Sequence, residues 1–298
     1  MLTAKPVSDP MIATPPKPRD DEIDVCGLTH QGKVRPSNQD HFLLASLHKL
    51  MRVRSTSLPN PELLEIPGER LATLIMVADG VGGANAGEEA SRAALESIAA
   101  YVTETMQCYY RADPSDGKAF EDALRAGAAA CHTAVVEKAS GNPELRGMAT
   151  TLTLGLAVWP SLYLLQIGDS RAYQLRDGKL ARLTRDQTLA QDLVDTGVLK
   201  PSDLARSPLS HVLTSAIGAE WRPAVSKVAL NRTTTILLCT DGLTKHVPDE
   251  KIEDRLKSLR TSEEVCKTLL NDALEAGGSD NITVLCGRVR ESRAPEET

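Results

Sequence analysis

Four aspartates in this chain of 298 residues stand at the rims of apolar runs. LIMVADG closes on Asp79-Gly80, LYLLQIGD on Gly168-Asp169 and TILLCTDG on Asp241-Gly242, and Asp280-Asn281 immediately precedes ITVLCG. One Asp-Gly after a strand is an ordinary turn, but turn chemistry does not account for four acids at the ends of buried strands. If those rims face one another, like charges gather in a cleft, which is tolerable only if cations neutralise them or protons are taken up. Hard oxygen donors on short, stiff side chains suit Mg²⁺ or Mn²⁺, which keep several waters in an octahedral shell. The expectation is a hydrolytic metal site.

Other chemistries lack their residues. The glycine-rich stretch DGVGGANAGEEAS contains neither G-x-x-x-x-G-K-[ST] nor a clean G-x-G-x-x-G, and there is no H-E-x-x-H, EF-hand spacing or G-x-S-x-G. His30, His41, His48, His132, His211 and His246 form no ligand pattern and read as surface or packing residues. Cys26, Cys108, Cys131, Cys239, Cys266 and Cys286 are scattered without a C-x-x-C pair, which reads as reduced core cysteines. A formal net charge of -6 argues against a surface built to neutralise nucleic-acid phosphates. With only 2 Trp, 5 Tyr and 2 Phe, stacking platforms for single strands are also disfavoured.

The elements that must position the acids are legible in the periodicity. Leu152, Leu154, Leu156 and Val158 alternate, Trp159-Pro160-Ser161 makes a turn, and Leu162 to Asp169 returns as a second strand. In AYQLRDGKLARL the dipeptide Asp177-Gly178 predicts a further hairpin. Consecutive hairpins mean antiparallel sheet, with connections too short for the crossovers of a parallel one. Leu95, Ile98, Val102 and Met106 predict an amphipathic helix over Ala86 to Gln107. Phe120, Leu124, Ala128, Cys131 and Val135 predict another over Phe120 to Ala139, and a third is expected near Ser262 to Leu274. The class is α+β, with helices covering antiparallel sheets.

Residues 1–22, with five prolines and mixed charge, are expected to be a disordered tail, and 291–298 a polar C-terminal tail. Between them, 23–290 forms one domain. His48 to Arg70, with three prolines and several basic residues, suggests a long loop or insertion. No apolar run reaches the length of a membrane span and Met1 to Asp21 holds no signal-peptide block, so no membrane partner and a cytoplasmic location are expected.

An ordered series of motifs carries a resemblance. It runs Arg35-Pro-Ser-Asn38-Gln-Asp40, Val77-Ala-Asp79-Gly80-Val-Gly82-Gly83, Gly147-Met-Ala-Thr150-Thr151, Gly168-Asp169-Ser170-Arg171 and Leu183-Thr184-Arg-Asp186. It continues through Leu213-Thr214-Ser-Ala-Ile-Gly218, Cys239-Thr-Asp241-Gly242-Leu and Ser279-Asp280-Asn281-Ile-Thr-Val. Over roughly Ile23 to Val289 the chain resembles the metal-dependent PPM family, the type 2C serine/threonine protein phosphatases, in its bacterial form. The resemblance implies a four-layer sandwich, two antiparallel β-sheets flanked by α-helices. It implies two divalent ions, Mg²⁺ or Mn²⁺, whose shared water attacks phosphorus. Asp79 would bridge both ions, the Gly80 carbonyl would hold one, and Asp241 and Asp280 would complete the other. Asp169, with Asp241, would hold a weaker third ion. Arg35 would clamp the substrate phosphate, and Asp40, Asn38 and Asn281 would orient waters or ligands around the ions. Ser170 and Arg171 are expected only to buttress a strand end.

One position departs from the family. Many relatives from higher organisms carry a histidine after the Asp-Gly pair as proton donor to the leaving group; here that residue is Val81, which leaves His41 beside Asp40 as the substitute. Thr188 to Leu213 falls where the family has a flap beside the cleft, a candidate for substrate selection or metal exchange. The expected activity is hydrolysis of phosphoserine and phosphothreonine in proteins, opposing a serine/threonine kinase. The alternatives are an inactive phosphoprotein-binding module, against which the intact acids argue, and a metallohydrolase of small phosphate esters.

Overall fold

The computed structural model describes residues 16–51, 66–104 and 117–290. Its first half runs β1 (Ile23–His30), β2 (Asp40–Met51), β3 (Ile66–Val81), α1 (Ala84–Glu104), α2 (Gly117–Gly141), β4 (Ala149–Thr150), β5 (Leu152–Val158) and β6 (Ser161–Ile167). The second half runs β7 (Arg171–Arg176), β8 (Lys179–Arg182), α3 (Leu189–Asp195), β9 (Ala224–Ala229), β10 (Thr235–Cys239), α4 (Asp241–Thr244), α5 (Asp249–Ser258), α6 (Ser262–Glu275) and β11 (Ile282–Val289). Two antiparallel sheets result, ordered β1-β11-β10-β7-β8 and β2-β3-β5-β6-β9, with β4 paired to the end of β3.

Strand alternation explains the layering. In β3, Leu74, Met76 and Ala78 face one core with residues of α1 and α2, while Ile75 and Val77 face a second core between the sheets. In β10, Leu237 and Cys239 pack with Ile252 and Leu256 of α5 and Leu269 of α6, while Ile236 and Leu238 meet Ile75 and Val77 from across the sandwich. Central strands are therefore buried on both faces and read as continuous apolar runs. Helix, sheet, sheet and helix form the four layers that the resemblance implied.

The predicted hairpins Leu152 to Asp169 and Ala172 to Leu183 are present as β5-β6 and β7-β8, and the three periodic helices are α1, α2 and α6, with Met106 and Gln107 of the first expected span outside the described residues. Two boundaries differ from expectation. His48 pairs with Arg70, Lys49 with Glu69 and Met51 with Ile66, so both ends of the expected insertion are hairpin arms. The backbone ladder continues past the last apolar alternation because it needs no side-chain burial. Residues 52–65 lie outside the described residues, as do 1–15 of the expected N-terminal tail and the C-terminal tail.

The expected N-terminal tail is held at its inner end. Asp20–Glu22 forms a 3₁₀ turn, the buried Arg70 donates to the Pro18 carbonyl at 2.7 Å, and Lys17 pairs with Glu69 at 2.8 Å. Glu22 pairs with Arg232, and its carbonyl accepts from the Arg290 amide at 2.7 Å. Composition weighs apolar burial, whereas this anchoring is polar. Among the described residues no helix is long and apolar enough to cross a membrane, and Cys26, Cys131, Cys239, Cys266 and Cys286 are all free thiols.

Candidate active site

At one end of the sandwich the strand rims converge. Asp79 lies near the end of β3, where its amide donates to Thr151 Oγ1 at 3.0 Å and its carbonyl accepts from the Thr151 amide and Thr150 Oγ1, each at 2.9 Å. Gly80 follows because backbone crowds it. A Cβ there would lie 2.1 Å from the Gly87 carbonyl oxygen, and at Gly242 it would lie 1.8 Å from that of Asn281. Each Asp-Gly pair thus marks a close backbone approach that aims the preceding carboxylate at the cleft.

Asp169 sits in the bend between β6 and β7, where the Gly168 amide donates to Gln187 Oε1 at 2.8 Å. Asp241 opens α4, and Asp280 immediately precedes Asn281 and β11. Together with Arg35, Val81, His211 and Lys245 these acids line a cleft of about 610 Å³. Burial drives the Asp79 carboxyl well above the ordinary range, reinforced by Asp40 and then Asp241. Asp169 is driven the same way by burial and by Asp241 and Asp186, with Lys245 opposing. Asp280 goes down: burial alone would raise it, but Arg35 and Lys245 outweigh burial.

Asp40 is buried, only 3 % exposed, opposite Asp79 across β2 and β3. Its Oδ2 accepts from Thr240 Oγ1 and Thr283 Oγ1, each at 2.8 Å. Burial pushes its carboxyl up to about 7 against those two bonds. The threonine behind it continues the chain: Asn38 Nδ2 donates to Thr29 Oγ1 at 2.9 Å, and Thr29 meets Thr283 at 2.8 Å.

Asn281 uses its amide on backbone. Its Oδ1 accepts from the Gln39 amide at 2.9 Å, and Nδ2 donates to the carbonyls of Gln31 and Ser37, both at 2.8 Å. It fastens the loop carrying Arg35 to the start of β11, and Asn38 Oδ1 accepts from the Asp40 amide at 3.2 Å. Both asparagines hold backbone beside the acids; Asn281 Nδ2 spends both of its N–H donors on carbonyls, whereas Asn38 Nδ2 spends one on Thr29. Arg35 lies at the cleft mouth, half-exposed, with Nε 2.6 Å and Nη2 2.9 Å from the two Asp280 oxygens.

His41 does not enter the cleft. Strand alternation turns it to the opposite face from Asp40, where Nδ1 is 3.0 Å from Ser91 Oγ of α1, and burial lowers its proton affinity. Ser170 and Arg171 buttress as expected: Ser170 Oγ meets Thr151 Oγ1 at 2.9 Å, and Arg171 binds Asp186 through Nε at 2.9 Å and Nη2 at 2.7 Å. The flap is pinned at its base by a bridge between Thr188 and Leu213, which brings the exposed His211 to the cleft.

Sequence reading missed Thr240, Thr283 and Lys245. The threonines lie within the motifs around Asp241 and Asp280, and Lys245 stands four residues after Asp241, the spacing at which helical side chains meet. Lys245 Nζ lies 2.6 Å from Asp241 Oδ2 and 2.5 Å from Asp280 Oδ2. Burial would lower this ammonium, but the two carboxylates outweigh it and hold it charged.

The donor set fits divalent ions. Asp241 Oδ1 and Asp40 Oδ1 are buried with no hydrogen-bond partner among the described residues, and the carboxyl oxygens of the cleft are hard donors. As they stand, no three His, Cys, Asp or Glu side chains among the described residues close into a ligand set. Arg35 and Lys245 draw Asp280 toward themselves instead.

The profile of the family described as Protein phosphatase 2C matches residues 64–279. The chain belongs to the protein phosphatase 2C family. This phosphatase is 34% identical over 214 residues to the serine/threonine phosphatase stp of Listeria welshimeri, covering 71% of this chain and 82% of that protein. It is 30% identical over 275 residues to the protein phosphatase PhpP of Streptococcus pneumoniae, covering 91% of this chain and 100% of that one. The crystal structure of the catalytic domain of serine threonine protein phosphatase PstP in complex with 2 manganese ions superposes with a TM-score of 0.70 at 30% identity, covering 90% of this chain and 99% of that one.

Proposed function

We propose that this phosphatase hydrolyses phosphoserine and phosphothreonine esters in proteins, using two divalent ions held by Asp79, the Gly80 carbonyl, Asp241 and Asp280. The observation that carries the reading is the unpartnered, buried Asp241 Oδ1 within a cleft of four aspartates. When bound, a pair of such ions lowers the pKa of water and supplies hydroxide at neutral pH for in-line attack on phosphorus. Asp79 feels the charges of Asp40, Asp241, Asp169 and Asp280, and Asp40, opposite it across β2 and β3, is held by Thr240 and Thr283. Asp169, with Asp241, is the place for a weaker third ion.

Arg35 engages Asp280 with two of its five N–H donors, and the others serve the substrate phosphate at the cleft mouth. Its charge and direction stabilise the phosphoryl oxygens as negative charge develops. The flap, carrying His211 beside the cleft, selects among phosphoproteins. The partner is a serine/threonine kinase whose products this enzyme reverses, and the setting is the cytoplasm.

Phosphate release from phosphopeptides and from small esters, measured with and without Mn²⁺, tests the reading. Chelator-treated protein should be inactive and recover with Mn²⁺ or Mg²⁺ but not Ca²⁺, which prefers a larger, looser shell. Full activity in excess EDTA would overturn it, and a preference for small esters over phosphopeptides would move the substrate class.

A further inference from the structure

A lysine sits in the middle of the acid cleft. Lys245 follows α4, and its ammonium reaches both Asp241 Oδ2 at 2.6 Å and Asp280 Oδ2 at 2.5 Å. An exposed i,i+4 ion pair contributes little. This one differs in two respects. The side chain is only 24 % exposed, and it reaches a second carboxylate 35 residues further along the chain. One tethered monocation thereby ties the start of α4 to the approach to β11, on the two acids that the reading above assigns to a single ion.

We propose that Lys245 is a built-in competitor for the divalent ion held by Asp241 and Asp280, and so sets the affinity of that position. The inference rests on the proposed function. An ammonium and a dication cannot both take the same two Oδ2 atoms, because like charges a few ångströms apart repel strongly in a partly desolvated cleft. The ion must therefore displace the lysine. The movement is confined to the side chain, since the Lys245 amide is bonded to the Asp241 carbonyl at 2.8 Å and the four-carbon stem is flexible. Asp280 keeps its second cation, Arg35, when the lysine leaves.

Two properties follow. The position on Asp241 and Asp280 is weaker than the one built on Asp79 and the Gly80 carbonyl, which Lys245 does not touch in any hydrogen bond or ion pair among the described residues. The cluster also carries its own counter-charge, which supports the fold when divalent ions are scarce.

Isothermal titration of the full chain with MnCl₂, beside thermal melting in EDTA, tests this with Lys245→Met, which keeps length and removes charge. Wild type should bind two ions unequally, both ahead of the weaker third. Lys245→Met should tighten the weaker of those two steps by about tenfold or more and lower the melting temperature in EDTA, while Lys245→Arg should retain the wild-type titration because it keeps the cation. Lys245→Gln, which can still bond one carboxylate, is measured alongside in case Lys245→Met does not fold in EDTA. Unchanged or weakened Mn²⁺ binding in the uncharged variants would overturn the proposal and make Lys245 an ordinary structural ion pair. A wild-type chain that binds no Mn²⁺ would overturn the proposed function itself, so the two failures are distinguishable.

Discussion

Asp40 and Asp79 face each other directly across strands β2 and β3. Like charges at opposed strand positions destabilise a sheet, and here both carboxyls are raised above their ordinary range by burial first and by neighbouring acids after it. The register continues through Val77, Met76 and Ile75, paired with Phe42, Leu43 and Leu44 and packed into the two cores on either face of β3.

Asp79→Asn should therefore cost at least about 10²-fold in turnover yet stabilise the protein in EDTA by about 1 kcal/mol, read as a higher melting temperature. Asp280→Asn should lose activity comparably but lower the melting temperature in EDTA, because it strips Arg35 and Lys245 of their shared carboxylate. Equal shifts of the same sign in both variants would refute this division.

Stability in EDTA should fall as pH rises toward neutrality through Asp40. Its folded carboxyl titrates near 7 against an ordinary value of 3.8, so the folded chain binds a proton that the unfolded chain has released. That stabilisation is complete below about pH 4 and is lost as pH passes about 7, with a slope of at most about 1.4 kcal/mol per pH unit. Denaturant titrations between these limits should show the slope in wild type and a flatter profile in Asp40→Asn.

Arg35→Ala should lower kcat/KM for phosphopeptides by about 10- to 100-fold, the worth of a charge-assisted pair of bonds. Arg35→Lys should recover only part of this, because an ammonium cannot form two parallel bonds. Steady-state kinetics on one phosphopeptide decides it; wild-type values for Arg35→Ala would leave Arg35 only its bond to Asp280.

With Val81 where a proton donor stands in many relatives, activity should depend steeply on the leaving group. Serine alkoxide needs a proton, and nitrophenolate does not. Across aryl phosphates of rising leaving-group pKa, kcat/KM should fall steeply in wild type and less steeply in Val81→His. His41→Gln should leave the slope unchanged, since the imidazole is bonded to Ser91 on the far side of β2. A flat wild-type slope would mean that another group donates the proton.

Hairpins, helices and the acid motifs were legible in the sequence because each depends on short-range pattern. Alternation over Leu152 to Val158, threes and fours over Phe120 to Val135, and Asp-Gly at strand ends are local consequences of backbone geometry. Tertiary structure alone decided which side chains meet. Asp40 reaches Thr240 and Thr283, 200 and 243 residues away, and Lys245 reaches Asp280 only because β11 runs beside β10. No periodicity encodes such contacts: they arise where two sheets stack and their rims align. Alternation along β2 turned His41 away from the cleft, and the pairing of β11 with β10 placed Lys245 within it. A sequence fixes residue types and local spacing, whereas the electrostatic partner of each charge is set by packing between elements far apart in the chain.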